Sequence, residues 1–492
     1  MLFSSPIFIF AFLPVSFFGY FILNHFRLAA LGKFWLVACS LFFYGYWDAS
    51  YLPLLLCSIA FNFTAGSLVS PYKETTLIIS RKAILAFAII INIAALGYYK
   101  YTNFVIENIN NLTNADWTLK SIILPLGISF YTFTQTAFLV DSYKGKAKEY
   151  DFINYALFVT FFPHLIAGPI LHHKEMMSQF KSRWNLAIRY KNIFMGIFIF
   201  SIGLFKKVII ADNFSVYADA GFASGAQHDF VSSWVTSLSY TFQLYFDFSG
   251  YCDMAIGAGL LFNIWLPLNF NSPYKSLNIQ DFWRRWHITL GRYLRDYIYI
   301  PLGGSRSSIN RTYVNLFVTF VLGGLWHGAS WMFVIWGVMH GAALCIHRFW
   351  KSLGMSMAKP LAWLITFLFV NTSWVFFRAH SLDDAFEILR GMIDIPSALS
   401  LKIQDAPTSM LAWSGVLGDT LLKFMPVSMV ENLPCILMII AGFVISSQKN
   451  SYEMTISKEN YLAKTAWMTI LFIIAVYASI KSTSAVFLYF NF

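Results

Sequence analysis

Apolar residues recur along the chain in runs of roughly 15–22, the length a helix needs to cross about 30 Å of hydrocarbon. Uncharged runs fall at about 2–24, 34–47, 51–70, 83–99, 121–140, 152–171, 192–205, 230–246, 254–274, 312–347, 360–377, 433–447 and 465–480. The run 312–347 is long enough for two spans. This pattern predicts an all-α polytopic membrane protein with roughly eleven to fourteen membrane segments, re-entrant pieces included. A transmembrane barrel would instead show alternating segments of about ten residues. No repeat of fixed period and no low-complexity linker interrupts the series, so residues 1–492 read as one integral-membrane domain.

Composition agrees. The chain is 58% hydrophobic and 12% charged, whereas soluble proteins carry about 25% charged residues. So few charges could not cover a surface in water. The net charge of +11 resides in short loops between apolar runs. The positive-inside rule accounts for it, and no basic stripe on a recognition fold suggests nucleic acid. Cys39, Cys57, Cys252, Cys345 and Cys435 are scattered, without CxxC or zinc spacing, and read as small hydrophobes. The run from Leu2 to Asn24 lacks a basic lead-in and a small-residue cleavage site, so it reads as a first span.

Loop charges set an orientation. Arg27 and Lys33 follow the first span, Lys73, Arg81 and Lys82 the third, and Lys144, Lys146 and Lys148 the fifth. Alternation puts the N-terminus outside and the basic loops in the cytoplasm. A full crossing by 152–171 would break this, because Lys174, Lys181, Arg183, Arg189 and Lys191 follow it. That run carries Pro163 and Pro169 around Gly168, so Phe161–Leu171 is expected to dip into the membrane and return. Segment 275–311 interleaves Arg284, Arg285, Arg292 and Arg295 with Trp283, Trp286, Tyr293 and Tyr297. It suits a helix at the cytoplasmic interface, with Asn278 and Asp281 capping its start. Residues 401–432 read as an external loop with short amphipathic pieces.

One residue stands out for chemistry. His327, in Gly323-Gly324-Leu325-Trp326-His327-Gly328, lies within a long uncharged run. An ionisable group at membrane depth is costly and points to function, and histidine suits general-base work near neutral pH. The competing reading is a histidine that glues helices together. His287, beside the arginines, is a second candidate, against an interface histidine packed on Trp286. His340 and His347 read as structural or interfacial, His164 as a partner for exposed backbone, and His172 and His173 as interface residues. Asp247 and Asp253 stand in apolar surroundings and could line a polar cavity, orient a histidine or relay protons. No HExxH, clustered carboxylate, P-loop, Rossmann pattern or GxSxG elbow occurs, and no metal site is expected.

Several segments together resemble the membrane-bound O-acyltransferase family, in its bacterial alginate O-acetyltransferase branch. That branch also includes peptidoglycan O-acetyltransferases. They are Met1–Ser5, Leu96-Gly97-Tyr98-Tyr99-Lys100-Tyr101, Leu124–Tyr131, Phe162–Pro169, the Asp247 segment and Asn269-Phe270-Asn271-Ser272-Pro273-Tyr274. The most specific are Asp281-Phe282-Trp283-Arg284-Arg285-Trp286-His287 and Gly324-Leu325-Trp326-His327-Gly328, with Trp374–Ala379 near the end. The stretch after Arg378 departs from the pattern, being shorter and divergent. The resemblance implies a fold with a central funnel, with His327 as the essential histidine and His287 as a supporting one. It implies acetyl-CoA as co-substrate, with no permanently bound cofactor. Arg284 and Arg285 suit its phosphates, since arginine binds them bidentately. It further implies transfer across the inner membrane to a periplasmic or membrane-anchored SGNH-type partner. That partner would acetylate a glycan: alginate, peptidoglycan or another exopolysaccharide. An acyltransferase for lipid, one attaching D-alanine to teichoic acid, and a proton-coupled transporter or flippase are the alternatives.

Overall fold

The computed structural model describes residues 1–72, 79–147, 151–395, 429, 431–457, 461–481 and 487–488. The external loop expected at 401–432 lies outside these residues apart from 429, 431 and 432, as do Lys73 and Lys148 from the orientation argument.

The described residues form helices joined by short loops. The first eight are α1 (Leu13–His25, entered through a π turn, Phe8–Phe12), α2 (Ala29–Gly45), α3 (Leu52–Val69), α4 (Arg81–Thr113), α5 (Ile128–Tyr143), α6 (Phe152–Thr160), α7 (Phe162–Leu165) and α8 (His173–Phe180). Next come α9 (Tyr190–Phe205), α10 (Asp212–Gly221), α11 (Phe230–Leu261), α12 (Ile279–Arg285), α13 (Ile288–Leu294), α14 (Ile309–His327), α15 (Trp331–Ser352) and α16 (Lys359–Arg378). The last described helices are α17 (Leu382–Gly391), α18 (Leu433–Ser447), α19 (Ser451–Ile456) and α20 (Tyr461–Lys481). Among the described residues, seven helices or helix pairs are long and apolar enough to cross a membrane, and α2 and α18 are shorter apolar helices. The fold is therefore that of a multi-pass membrane protein.

Local chemistry starts these helices where polar residues interrupt the apolar runs. Ser80 caps α4, Asp151 caps α6, Ser308 caps α14 and Ser330 caps α15, each side chain accepting a backbone N–H of the first turn. Asp229 and Ser232 form a reciprocal capping box at the start of α11.

Helix α11 is the axis of the molecule. Every residue from Ser239 to Leu260 is buried, as befits a helix surrounded by others rather than by lipid. Glycines let α9 lie directly on it. A Cβ at Gly203 would come within 2.6 Å of the Gly250 carbonyl oxygen, and one at Gly196 within 2.8 Å of the Gly257 carbonyl. Close backbone approach over small residues is the usual way apolar helices gain contact in a membrane.

The run 152–171, of which Phe161–Leu171 is the expected re-entrant part, is broken into pieces too short to cross. Helix α6 has 9 residues, about 13 Å of rise. It is followed by the single turn α7 and by non-helical backbone before α8. All of 154–171 is buried, so this irregular backbone is covered by protein. His164 lies inside it and its Nε2 is 2.9 Å from the Phe158 carbonyl. His173, expected at an interface, is instead buried against Phe138 and Phe158.

Among the described residues, the partners of Asp247 and Asp253 are lysines rather than a histidine. The two acids stand on different sides of α11 and face two consecutive lysines in a π turn, Lys206–Ala211. Lys206 Nζ lies 2.7 Å from Asp253 Oδ2. Lys207 Nζ lies 2.9 Å from Asp247 Oδ1 and 2.6 Å from Asp212 Oδ1. Asp253 Oδ1 accepts from Ser451 Oγ, and Asp247 Oδ2 from the Leu488 backbone N–H. The acids are thus locked in a buried ion-pair network that ties α9, α11 and the C-terminal segment together.

Candidate active site

Segment 275–311 is not one interfacial helix. Asn278 Oδ1 does cap α12, accepting the Asp281 N–H at 2.8 Å. The chain then breaks at Trp286-His287 before α13, and Trp283, Trp286 and His287 are all buried. His287 carries a left-handed backbone, φ +42° and ψ +53°. Such a conformation is uncommon for a residue with a Cβ, and Asn269 holds it in place. The Asn269 carbonyl accepts the Ile288 N–H at 3.0 Å. Its side-chain oxygen accepts the Thr289 N–H and Oγ–H at 3.1 and 2.9 Å. A backbone N–H can donate and nothing else, so that atom is the amide oxygen rather than the nitrogen. His287 Nδ1, 3.1 Å from the same oxygen, therefore carries the proton. In the neutral ring Nε2 keeps the lone pair.

His327 is the last residue of α14. Gly328 is extended there, at φ −164° and ψ +156°, and the chain re-enters a helix at Ser330. The long uncharged run is thus two helices, and His327 lies at their junction. Helices α14 and α15 are drawn together at Gly324 and Gly337, where a Cβ on Gly324 would overlap the Phe333 carbonyl. The His327 ring is buried in an aromatic cage: Trp326, Trp336 and Phe377 lie 5.0, 5.1 and 5.2 Å away by ring centroid. Trp326 also packs against His287, at 6.4 Å. The two candidate histidines thus share one indole.

His340 is a third buried histidine, and both its nitrogens are engaged. Nδ1 accepts from Trp283 Nε1–H at 3.2 Å, and Nε2 lies 3.0 Å from Ser373 Oγ. An indole N–H can only donate, so Nδ1 is the acceptor and Nε2–H the donor. This histidine braces the cage. His347 is half-buried, on the wall of a cavity.

That cavity has a volume of about 570 Å³. Arg284, Arg292, Arg295, Arg348 and Lys351 line it, and Trp283, Leu294 and Phe320 form its apolar part. Arg292 is bridged to Glu175 at 2.6 and 3.0 Å, and Arg295 to Asp296. Among the described residues, no acid pairs with Arg284, Arg348 or Lys351. Leu294 lies against Gly323, 3.1 Å from where its Cβ would be. His327 is one helical turn further, about 6 Å along α14. Trp283 touches Trp336, which touches His327. The cavity is a cation-lined funnel that His327 itself does not line; Trp283 and Leu294 in its wall connect it to the histidine cage.

Of the sequence candidates, the structure brings His327 and His287 together and puts Arg284 in the funnel. Arg285 does not line it; its guanidinium pairs with Asp281 at 3.0 Å and with the Asn271 carbonyl. Asn269, Lys100, Arg348 and Lys351 had no assigned role. Asn269 and Lys100 do fall within the segments that carried the resemblance. Among the described residues, no group of three His, Cys, Asp or Glu side chains could hold a metal ion.

The membrane-bound O-acyltransferase family model matches residues 41–382. The peptidoglycan O-acetyltransferase of Helicobacter pylori is 46% identical over 524 residues, spanning 100% of this chain and 98% of that protein. The probable alginate O-acetylase AlgI of Pseudomonas aeruginosa is 42% identical over 402 residues, 80% of this chain and 75% of its own. The teichoic acid D-alanyltransferase of Bacillus subtilis is 29% identical over 239 residues, 47% of this chain and 60% of its own. The chain belongs to the membrane-bound O-acyltransferase family.

Proposed function

We propose that this O-acyltransferase takes acetyl from acetyl-CoA at the cytoplasmic face of the inner membrane and delivers it outward for O-acetylation of a glycan. The observation that carries this reading is the position of His327, one helical turn beyond Gly323, which packs on Leu294 in the wall of a funnel lined by five cations. Phosphate groups bind arginine in a planar, bidentate fashion. Arg284, Arg348 and Lys351 are the cations suited to them, while Arg285 supports the turn at Asn271. The thioester end of the donor would extend past Trp283 and Phe320 toward the cage. The basic funnel mouth faces the cytoplasm by the positive-inside rule, with the N-terminus outside.

His327 acts as general base. It takes the proton of an acceptor hydroxyl as the oxygen attacks the thioester carbonyl. The tetrahedral intermediate collapses, the C–S bond breaks, and the leaving thiolate recovers the proton from the imidazolium. His287 supports this step from across Trp326. An SGNH-type partner outside the membrane then passes the acetyl group to the sugar. The full-length match to a peptidoglycan O-acetyltransferase favours peptidoglycan, since the alginate relatives align over about four-fifths of the chain. The D-alanyl relative aligns over less than half. The ion-paired state of Asp247 and Asp253 speaks against a proton relay through them.

His327→Ala tests the reading. General-base help is worth about 10²–10⁴-fold, so base-labile acetate in isolated peptidoglycan should fall to background while the protein remains in the membrane. A correctly inserted variant with near wild-type ester content would end it.

A further inference from the structure

We infer that Lys100 is a positioning residue for His327: its ammonium, together with the Tyr101 hydroxyl, anchors the end of the helix that carries the histidine. Lys100 Nζ donates to the Trp326 carbonyl at 2.7 Å and to the His327 carbonyl at 2.9 Å. Tyr101 Oη donates to the Leu325 carbonyl at 2.7 Å. Three consecutive carbonyls at the end of α14 are thus held by two consecutive residues of α4, more than two hundred positions away in the chain.

The need for such an anchor follows from the backbone at Gly328. The last four carbonyls of a helix lack partners within it. They are commonly satisfied by the chain itself, through a left-handed residue just past the end. Gly328 is extended instead, at φ −164°, so that closure is not made. The extended turn is what lets Phe333 pack on Gly328 and places His327 at the junction of α14 and α15. A cation is also favoured at a helix C-terminus by the aligned peptide dipoles. The ammonium is half-buried, and two of its three donors are spent on these carbonyls. Its Nζ also lies 5.9 Å over the Trp326 ring, the indole that both candidate histidines contact. Loss of Lys100 should shift Trp326 and His327 as a unit, on the scale at which about 1 Å of misplacement costs about 10²-fold in rate.

This inference rests on the proposed role of His327, and the test separates the two. Full-length protein in proteoliposomes is given labelled acetyl-CoA, and His327-dependent release of acetyl is measured for the wild type, Lys100→Met, Lys100→Arg and His327→Ala. Lys100→Met should insert normally and lose about 10²-fold in kcat with KM for acetyl-CoA changed by less than about threefold. Lys100→Arg, which keeps a cation and donors, should recover at least tenfold of that loss. If Lys100→Met fails to accumulate, Tyr101→Phe, which releases the Leu325 carbonyl alone, carries the comparison, with a smaller loss in kcat expected. An inactive His327→Ala beside a Lys100→Met, or in its place a Tyr101→Phe, of unchanged kcat overturns the inference alone. So does a loss that follows the folded fraction and that arginine does not restore. An active His327→Ala overturns the proposed function itself. If the wild type releases no label, base-labile acetate in the glycan of cells carrying each variant gives the same ranking, and an unchanged level in Lys100→Met again overturns the inference.

Discussion

Asn269 Oδ1 accepts a hydrogen bond from the Nδ1–H of His287 at 3.1 Å, which fixes both the tautomer and the orientation of the second histidine. The same oxygen accepts from Thr289 twice, so one amide holds the whole left-handed turn. Asn269→Ala removes the acceptor of three buried donors. Each unsatisfied group costs about 1–3 kcal/mol, so a lowered unfolding temperature is expected. A fall in kcat of about 10–100-fold should accompany it, as for partners that orient a functional histidine. Acetyl release from acetyl-CoA per folded molecule checks this. Unchanged turnover in a folded variant would mean that the orientation of His287 is irrelevant to the reaction.

His340 should behave differently. Both its nitrogens are spent on Trp283 and Ser373, so it braces the cage without facing the chemistry. His340→Ala leaves the indole N–H unsatisfied and opens space beside Trp336. A loss of about 2–4 kcal/mol in stability is expected from a broken buried hydrogen bond plus a cavity. Turnover per folded molecule should fall by much less than in His327→Ala. Thermal unfolding in detergent, set beside turnover, checks the contrast. Inactivation equal to His327→Ala at unchanged stability would assign His340 to the catalytic set.

The sequence and the structure agree most where the physics is local. Long apolar runs, polar caps and the junction within 312–347 all follow from neighbouring residues, and His327 was conspicuous by its depth. The division of labour among the histidines was not legible. His287, His327 and His340 differ through Asn269, Trp326, Trp283 and Ser373, which reach them across long stretches of chain. The same holds for Arg284 and Arg285. They are adjacent in sequence, yet a seven-residue helix turns one into the funnel and the other onto Asp281. Lys206 and Lys207 fall just past the apolar run at 192–205, and although Asp212 is close in sequence, Asp247 and Asp253 lie about forty residues further on.

That difference between the two arginines is itself testable. A charge-assisted hydrogen bond is worth about 1.5–3 kcal/mol, or roughly 10- to 150-fold in affinity. Arg284→Ala, and likewise Arg348→Ala, should raise KM for acetyl-CoA within that range and leave kcat within a few-fold. Arg285→Ala removes an ion pair that is about one-third exposed, and such pairs contribute about 0–1 kcal/mol. Its KM should stay close to wild type. Equal KM effects for Arg284 and Arg285 would remove the funnel as the phosphate site.

The buried ion-pair network separates an enzyme from a proton-coupled carrier. Lys206→Met leaves Asp253 charged and without its cation, and breaking a buried pair from one side costs about 3–5 kcal/mol. The protein should accumulate poorly. Lys206→Met with Asp253→Leu replaces the whole pair by apolar side chains, which is often neutral or stabilising, so abundance should return toward wild type. Ser451, which donates to Asp253, would then lose one acceptor, and recovery is expected to be incomplete by about 1 kcal/mol. If Asp253 served only to hold the fold, acetyl release per folded molecule in the double variant should match the wild type. A stable double variant with no turnover would show that the charges themselves take part in function, and the proton-relay reading would return.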